Sequence, residues 1–244
     1  MIAYSLKEID VNFDVQTDSH GKDPDYASAT MKSYHKLLWS KPLPNGDILQ
    51  LEDGKDCYLK WNGMFFGSDS ITATFRNGRN KQFEEFKKSI PNYPEFEKDV
   101  LSKLYTIGGA IIFPQTPWSI NRARGCHPRI CDRWDFTLEC IRRYYAGESS
   151  PLDRSLSESQ QFFNLFISFK EYVNFFLLQD CIDEQYNVIL WDDSPLFEVN
   201  TMPKTLDSYL VWIKTQLNFA EKRNQRIQNY CNSKMIGLQD ALSS

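Results

Sequence analysis

The stretch TIGGAIIFPQTPWSINRARGCHPRICDRWDFTLECIRRYY, from Thr106 to Tyr145, joins an apolar run to a strongly charged segment. The run TIGGAIIF is ended by Pro114, which predicts a short buried strand. The charged segment begins at Ser119 and mixes arginines and carboxylates with a histidine, a glycine and a proline. A core does not need this mixture, because unpaired buried charges cost several kcal/mol each. We therefore expect the chain to change from strands to helices near this segment, and a functional site, if the sequence shows one, should lie in it.

The part of the chain before this stretch favours strands. Residues 1–16 alternate, with Val11, Phe13 and Val15 on one side, and predict a strand. Asn62-Gly63 lies between two apolar runs and predicts a β-hairpin, because this dipeptide readily supplies the positive φ angles of a type I′ turn. Apolar spacing also predicts helices over Tyr34 to Trp39 and, in two pieces divided by Pro91 and Pro94, over Lys81 to Leu104.

The part of the chain after Pro114 favours helices. One helix is predicted from Asp132 to Tyr145, with Asp132 as its N-cap and Gly147 beyond its end. Further predicted elements are a helix from Ser157 to Asp180, a strand from Asn187 to Trp191 and a C-terminal helix from about Thr205 to Asn232. These patterns predict an α+β fold in a single domain over residues 1–244, strand-rich in 1–118 and mainly helical in 119–244.

Composition narrows the class of protein. A net charge of −4 argues against a protein that coats nucleic acid non-specifically, which would normally be basic overall. Six scattered cysteines without a repeating framework indicate reduced thiols and a cytoplasmic location. The most apolar segment, Phe162 to Leu178, is interrupted by Lys170 and Glu171, so we expect no membrane partner.

The predicted helix over Asp132 to Tyr145 has two different faces. At roughly 100° per residue, one sector is apolar and suited to packing, and a separate sector carries charge. The apolar sector holds Trp134, Leu138, Ile141 and Tyr145, and the charged sector holds Asp132, Asp135, Glu139 and Arg142. Because Asp135 and Glu139 repel each other at this spacing, we expect cations nearby.

The segment Arg122 to Arg129, expected as a loop, supplies those cations, and two interpretations stay open. In the first, an ion-pair network fastens the loop to the helix. In the second, Arg124 and backbone amides exposed at Gly125 bind a phosphate, helped by the positive end of the helix. The candidate ligand-binding residues are Asn121, Arg122, Arg124, Gly125, Arg133 and Arg142, and the candidate catalytic residues are His127, Asp135 and Glu139.

Other chemistry has less support. Arg122 and His127 have the spacing used by a class of helical ribonucleases, but Gly125 and Pro128 disfavour a continuous helix between them. Cys126, His127 and Cys131 lack a second ligand pair, so we predict no metal site and no cofactor. Phosphate-binding glycine loops and the nucleophile elbow of hydrolases do not occur in the sequence.

Several long blocks resemble an uncharacterised bacterial family known as a domain of unknown function. These blocks are YHKLLWSKPLPNG (Tyr34 to Gly46), FFGSDSITATF (Phe65 to Phe75), YTIGGAIIFP (Tyr105 to Pro114), RGCHPRICDRWDFTLECIRRYY (Arg124 to Tyr145) and FKEYVNFFLLQD (Phe169 to Asp180). The resemblance implies a bacterial or phage-related, single-domain cytoplasmic protein, and it implies no activity. The family pattern reads INGARG where this chain has Arg122, which places more weight on Arg124 and Gly125.

Two hypotheses of function follow. The first is a toxin-like or phage-defence effector that binds a phosphate-bearing ligand, a nucleotide or RNA, at the arginine-rich segment; toxicity or defence rests on analogy with other small bacterial proteins. The second is a non-catalytic binding or regulatory module in which the charged cluster is structural. A deep pocket containing both Arg124 and Asp135 would favour the first, and a fully paired cluster would favour the second.

Overall fold

The computed structural model describes the backbone of residues 6–55, 57–71, 81–199 and 201–243, and the side chains of all of these except 81–83 and 235–243. The strands are β1 (Glu52–Asp53), β2 (Leu59–Trp61), β3 (Met64–Ser70) and β4 (Ala110–Pro114). The helices are α1 (Val15–Asp18), α2 (Pro24–Ala27), α3 (Ala29–Trp39), α4 (Lys81–Ser89), α5 (Tyr93–Leu104), α6 (Ile120–Cys126), α7 (Trp134–Ala146), α8 (Asp153–Glu158), α9 (Gln160–Phe163), α10 (Phe169–Phe175) and α11 (Leu206–Ser243).

The strands form one antiparallel sheet in the order β1-β2-β3-β4. The predicted hairpin is confirmed: β2 and β3 pair around Asn62 and Gly63, whose φ angles are 47° and 79°. The predicted strand that begins the decisive stretch is shorter than expected, because Ile107–Gly109 forms a 3-10 turn before β4. The sheet lies in the first half of the chain and most helices lie in the second, so the α+β fold class is confirmed.

The strand predicted in residues 1–16 is wrong for the part that the structure describes, and residues 1–5 lie outside it. Two aspartates at its polar positions turn the backbone instead. Asp10 Oδ1 accepts a hydrogen bond from the backbone N–H of Asn12, and Asp14 Oδ1 caps α1 by accepting from Gln16 N and Thr17 N. Local bonds of this kind compete with strand pairing, and here they override the alternating pattern.

The long helix predicted over Ser157 to Asp180 is also wrong, because this aromatic segment is broken into α8, α9, α10 and short 3-10 turns. Ile167 takes a left-handed φ of 63°, and Ser168 then caps α10 by accepting from Glu171 N. The segment from Asn187 to Trp191 forms an isolated bridge at Val188 in place of a strand. The broken path lets rings from several directions meet in the core, among them Phe162, Phe163, Phe166, Tyr172 and Phe176.

The segment expected as a loop between Arg122 and Arg129 is largely helical. Ser119 caps α6 by accepting from the backbone N–H of Arg122, and the helix ends at Cys126, before Pro128 can disrupt it. Asp132 is not the N-cap of α7: it takes a left-handed φ of 60°, and Arg133 occupies the cap position. Gly147 closes the C-terminus of α7 with a left-handed φ of 70°, as predicted.

The core extends around α7 and along α11. Trp134, Leu138 and Ile141 are fully buried, as their spacing predicts, but the charged face of α7 is buried as well, since Asp135 and Glu139 are at most 7% exposed. The C-terminal helix is confirmed, and its buried side includes Ile213, Ala220, Ile227, Cys231 and, unexpectedly, Arg223. Within the described part of the chain, no helix combines the length and the apolar character needed to cross a membrane.

Candidate functional site

The Arg124 cluster joins the sheet to the two helices of the charged segment. Arg124 on α6 is fully buried, and its Nη1 lies 2.7 Å from Asp69 Oδ2 and 3.2 Å from Asp132 Oδ1. The same guanidinium donates to the backbone oxygens of Ser70 and Asp132 and to Thr137 Oγ1. Burial disfavours the charge, but Asp132 and Asp69 outweigh it and raise the Arg124 pKa above its ordinary value. The cluster therefore ties β3, α6 and the start of α7 together.

A further carboxylate, that of Asp25, lies near this cluster and binds Ser68 of β3. Asp25 accepts hydrogen bonds from the backbone N–H and the hydroxyl of Ser68. Burial, partly offset by these bonds, raises the Asp25 pKa to about 6. A Cβ at Gly67 would lie 2.7 Å from Gln115 Nε2 and 3.1 Å from Asp25 Oδ2, so the Gln115 side chain would have to shift to admit it. Asp25, Asp69 and Asp132 thus supply more carboxylates than Arg124 alone neutralises.

Asn121 connects α6 to the same edge of β3. Its Nδ2 donates to the backbone oxygen of Ser68 at 3.0 Å, whereas its buried Oδ1 has no hydrogen-bond partner among the described residues. A cavity of about 40 Å³ lies beside Ser68, Asp69 and Ser70. That volume suits about one ordered water and no larger ligand. Asn121 and Arg124 therefore bind neighbouring residues of β3, Asn121 at Ser68 and Arg124 at Asp69 and Ser70.

The Arg133 cluster is separate and more deeply buried. Arg133 binds both carboxylate oxygens of Asp135, and its Nη2 lies 3.0 Å from Asp192 Oδ1. Its Nη1 donates to the backbone oxygen of Thr201, and Asp135 Oδ2 also accepts the backbone N–H of Trp191. Although burial opposes it, Asp135 and then Asp192 raise the Arg133 pKa above its ordinary value. These bonds hold the segment before α11 against the first turn of α7.

The Glu139 cluster lies nearer the surface on the same helix. Glu139 accepts two hydrogen bonds from Arg142 and one from Arg143, at 2.7 to 2.9 Å, and Arg142 also reaches Glu148. Burial raises the Glu139 pKa, but the hydrogen bonds from Arg142 and then Arg143 exceed that effect and hold it below the ordinary value. Glu139 is therefore an ionised carboxylate that two arginines of α7 bind.

The remaining basic residues of the segment form an outer basic face, defined here as Arg122, His127 and Arg129. Arg122 and Arg129 are exposed, and no ion pair engages either guanidinium within the described part of the chain. His127 Nδ1 accepts the backbone N–H of Arg129, and partial burial, followed by the nearby Arg129 charge, lowers the His127 pKa. Beside α6, the guanidinium of Arg154 stacks 3.7 Å from the ring centre of the half-exposed Trp118.

The structure thus distributes the predicted site residues over four places. Asn121 and Arg124 meet in one cluster, Arg133 and Asp135 in a second, and Glu139 and Arg142 in a third, while Arg122 and His127 lie on the outer basic face. Gly125 lies within α6, and a side chain there would make only an ordinary contact with Asp132, so it does not open a phosphate loop.

Several charged partners were not expected from the sequence. Asp69 and Asp25 lie in the first half of the chain, and Asp192 lies in a segment without regular structure. The block FFGSDS carries a signal for Asp69, because a charged residue in a paired strand beside apolar neighbours needs a partner. Asp192 carries no comparable signal. Among the described residues, no group of three or more histidine, cysteine or acidic side chains is arranged to hold a metal ion.

The fold and these clusters define an α+β protein that contains buried arginine–carboxylate networks. The chain belongs to a family of unknown function (DUF6994), whose model matches residues 9–227. This match agrees with the resemblance to an uncharacterised family. Comparisons with curated proteins and with solved structures found no match.

Proposed function

We propose that this protein is a non-catalytic binding or regulatory module in which the arginine–carboxylate clusters are structural. The observation that carries the proposal is the environment of Arg124 and Arg133, since both guanidinium groups are fully buried and each contacts two carboxylates. A guanidinium that binds a ligand must direct donors at a space which the ligand can enter. The donors of these two arginines are directed at protein oxygens instead.

The separation of the candidate catalytic residues supports the same proposal. General acid–base catalysis needs its groups within hydrogen-bond reach of one reacting centre. Asp135 is engaged by Arg133, Glu139 is engaged by Arg142 and Arg143, and His127 faces the backbone of Arg129. No hydrogen bond or ion pair connects these three groups among the described residues, so their positions favour structural roles.

Two arginines on α6 provide a matched test. Arg124→Ala should leave Asp69 and Asp132 without their shared cation and lower the free energy of unfolding by about 3–5 kcal/mol. Arg122→Ala, two residues away on the exposed side, should change it by no more than about 0.5 kcal/mol. Urea denaturation of both variants without any ligand measures the difference. Equal stability of Arg124→Ala and wild type would mean that Arg124 is not structural and would overturn the proposal.

A second candidate function is favoured by the outer basic face. Here the protein is a toxin-like or phage-defence effector of the bacterial cytoplasm, and it binds a nucleotide or RNA through Arg122 and Arg129. The exposure of both guanidinium groups supports this candidate, as does the stacked pair of Arg154 and Trp118 nearby, because cations interleaved with an aromatic ring suit phosphates and bases.

Binding measurements with short single-stranded RNAs and a panel of nucleotides test this candidate. Wild type should bind with a strong dependence on salt, and the double variant Arg122→Gln with Arg129→Gln should bind at least about tenfold more weakly at unchanged stability. The double variant Lys88→Gln with Lys103→Gln removes two cations from exposed pairs on α4 and α5 and serves as the control for net charge. If both variants weaken binding equally, the attraction is general and the outer basic face is not a site.

A further inference from the structure

Among the side chains that the structure describes, three arginines are fully buried, and Arg223 on α11 differs from Arg124 and Arg133. Its Nη1 donates to the backbone oxygens of Gly108 and Ala110, and its Nε and Nη2 donate to the backbone oxygen of Phe176. Carbonyl oxygens carry partial charges only, so they stabilise a guanidinium without neutralising it.

The acidic groups around Arg223 do not supply the negative charge that would neutralise its guanidinium. Asp180 acts on it at longer range, but both oxygens of Asp180 are already bound by Arg226. The other acidic groups that face it are the Cys181 thiol and the Tyr172 hydroxyl, and burial raises the pKa of both well above neutrality. Among the described residues, Arg223 is therefore a buried cation whose acidic neighbours are uncharged or bound to another residue.

A second cation lies close to the first. Lys41 Nζ donates to the backbone oxygen of Phe175 and lies 4.5 to 4.8 Å from the ring centres of Trp39, Phe175 and Tyr230. Arg223 faces the same Trp39 indole, at 5.8 Å from its centre. Burial, followed by the charges of Lys234 and Arg223, lowers the Lys41 pKa to about 7.

Residues near these cations carry unpaired polar atoms. Trp39 Nε1, His35 Nε2 and the Tyr172 hydroxyl belong to fully buried residues, and none has a hydrogen-bond partner among the described residues. Trp39 Nε1 can only donate, as can Arg223 and protonated Lys41. A buried donor without an acceptor is costly, and an excess of donors beside two cations calls for an acceptor that carries negative charge.

We infer that the region between Arg223, Trp39 and Lys41 binds a small monovalent anion of the size of chloride. The Trp39 Nε1–H group and the one Nη2–H of Arg223 that no backbone oxygen of the described residues accepts hold the anion, and Lys41 lies on the more exposed side, where Tyr230 is partly exposed and Lys234 is exposed. The rings of Trp39, Phe175 and Phe176 pack closely around this place, with centroid separations of 5.0 to 6.3 Å, which favours a single atom over an organic anion. This site lies apart from the clusters on α6 and α7 and does not depend on the proposed function.

Thermal melts of the full chain test the site with sodium chloride, sodium bromide and sodium gluconate at one ionic strength. The melting temperature should rise and saturate with chloride and with bromide, because a specific ligand stabilises the folded state by mass action. Gluconate is too large to enter and should have no saturable effect. Equal curves in all three salts would show screening or ordered water only and would overturn the inference.

Two tryptophan variants test whether chloride binds at Trp39. Trp39→Phe keeps an aromatic ring and removes the Nε1–H group, so the chloride dissociation constant should rise at least about tenfold, as expected when a charge-assisted hydrogen bond is lost. Trp212→Phe, at an equally buried position on α11 beside Tyr209 and Trp191, should leave the chloride response unchanged.

Chlorine-35 NMR of the wild-type protein provides a second measurement that does not depend on the folding of either variant. Line broadening in dilute protein should be abolished by competing bromide. Broadening that bromide does not displace, or a chloride response of Trp39→Phe equal to that of wild type, would contradict the assignment.

Discussion

Two sets of arginines in one short segment have opposite environments. The inner arginines, Arg124 and Arg133, are fully buried and bound to two carboxylates each, whereas Arg122 and Arg129 on the outer basic face are exposed. Arg122 and Arg124 are two residues apart on the same helix, so rotation about the α6 axis, and not residue type, separates them. The comparison teaches that a local concentration of arginine does not by itself identify a ligand site.

The largest expected effect concerns Arg133, one of the two inner arginines. Arg133→Ala should lower the free energy of unfolding by about 3–5 kcal/mol, because it leaves Asp135 as a buried and unpaired carboxylate. Urea denaturation measures this, with Arg129→Ala as the control on the outer basic face. A loss below about 1 kcal/mol would place Arg133 with the exposed arginines and break the distinction.

Part of the fold could be predicted from the sequence. The hairpin was predictable because Asn62-Gly63 determines its turn locally, and α7 and α11 were predictable because their apolar spacing persists over several turns. The helix α6 was missed because Gly125 and Pro128 weighed against it, although it ends before Pro128. Had it been expected, the spacing of four between Ile120 and Arg124 would have indicated that Arg124 faces inward.

The carboxylate partners of the buried arginines and the path of the aromatic segment could not be predicted from local sequence patterns. The contact between Arg124 and Asp69 spans 55 residues, and that between Arg133 and Asp192 spans 59, so no local pattern contains both partners. The aromatic segment before Asp180 carries rings at spacings of three and four residues that fit one helix, and periodicity alone does not reveal that Ile167 interrupts it.

A smaller effect should come from the pH dependence of Asp25, beside the Arg124 cluster, because burial raises the pKa of its carboxyl group. The folded pKa of Asp25 is about 6, above its unfolded value near 4. The folded state therefore binds more protons between these values, and Asp25 makes the protein less stable as pH rises from 4 to 6.

Asp25→Asn removes this titration while keeping an oxygen that can accept from Ser68. Its stability relative to wild type should rise by about 1–3 kcal/mol between pH 4 and pH 7, then stay level at higher pH. Urea denaturation across that pH range measures the change. Parallel curves for wild type and Asp25→Asn would mean that Asp25 is as easily ionised as an exposed carboxyl.

The smallest effect should come from the Glu139 cluster. Its arginines are less buried than Arg124 and Arg133 and less exposed than those of the outer basic face. Arg142 is partly exposed and shares Glu139 with Arg143, so Arg142→Ala leaves the carboxylate with one partner. We expect a loss of about 0.5–1 kcal/mol that diminishes in 1 M salt, as for other partly exposed ion pairs. Chemical denaturation at low and high salt measures this, with Lys88→Ala, which removes an exposed pair on α4, as the control. A loss as large as that of Arg133→Ala, insensitive to salt, would show that Glu139 belongs with the inner arginines, and the charged segment would then contain three buried networks.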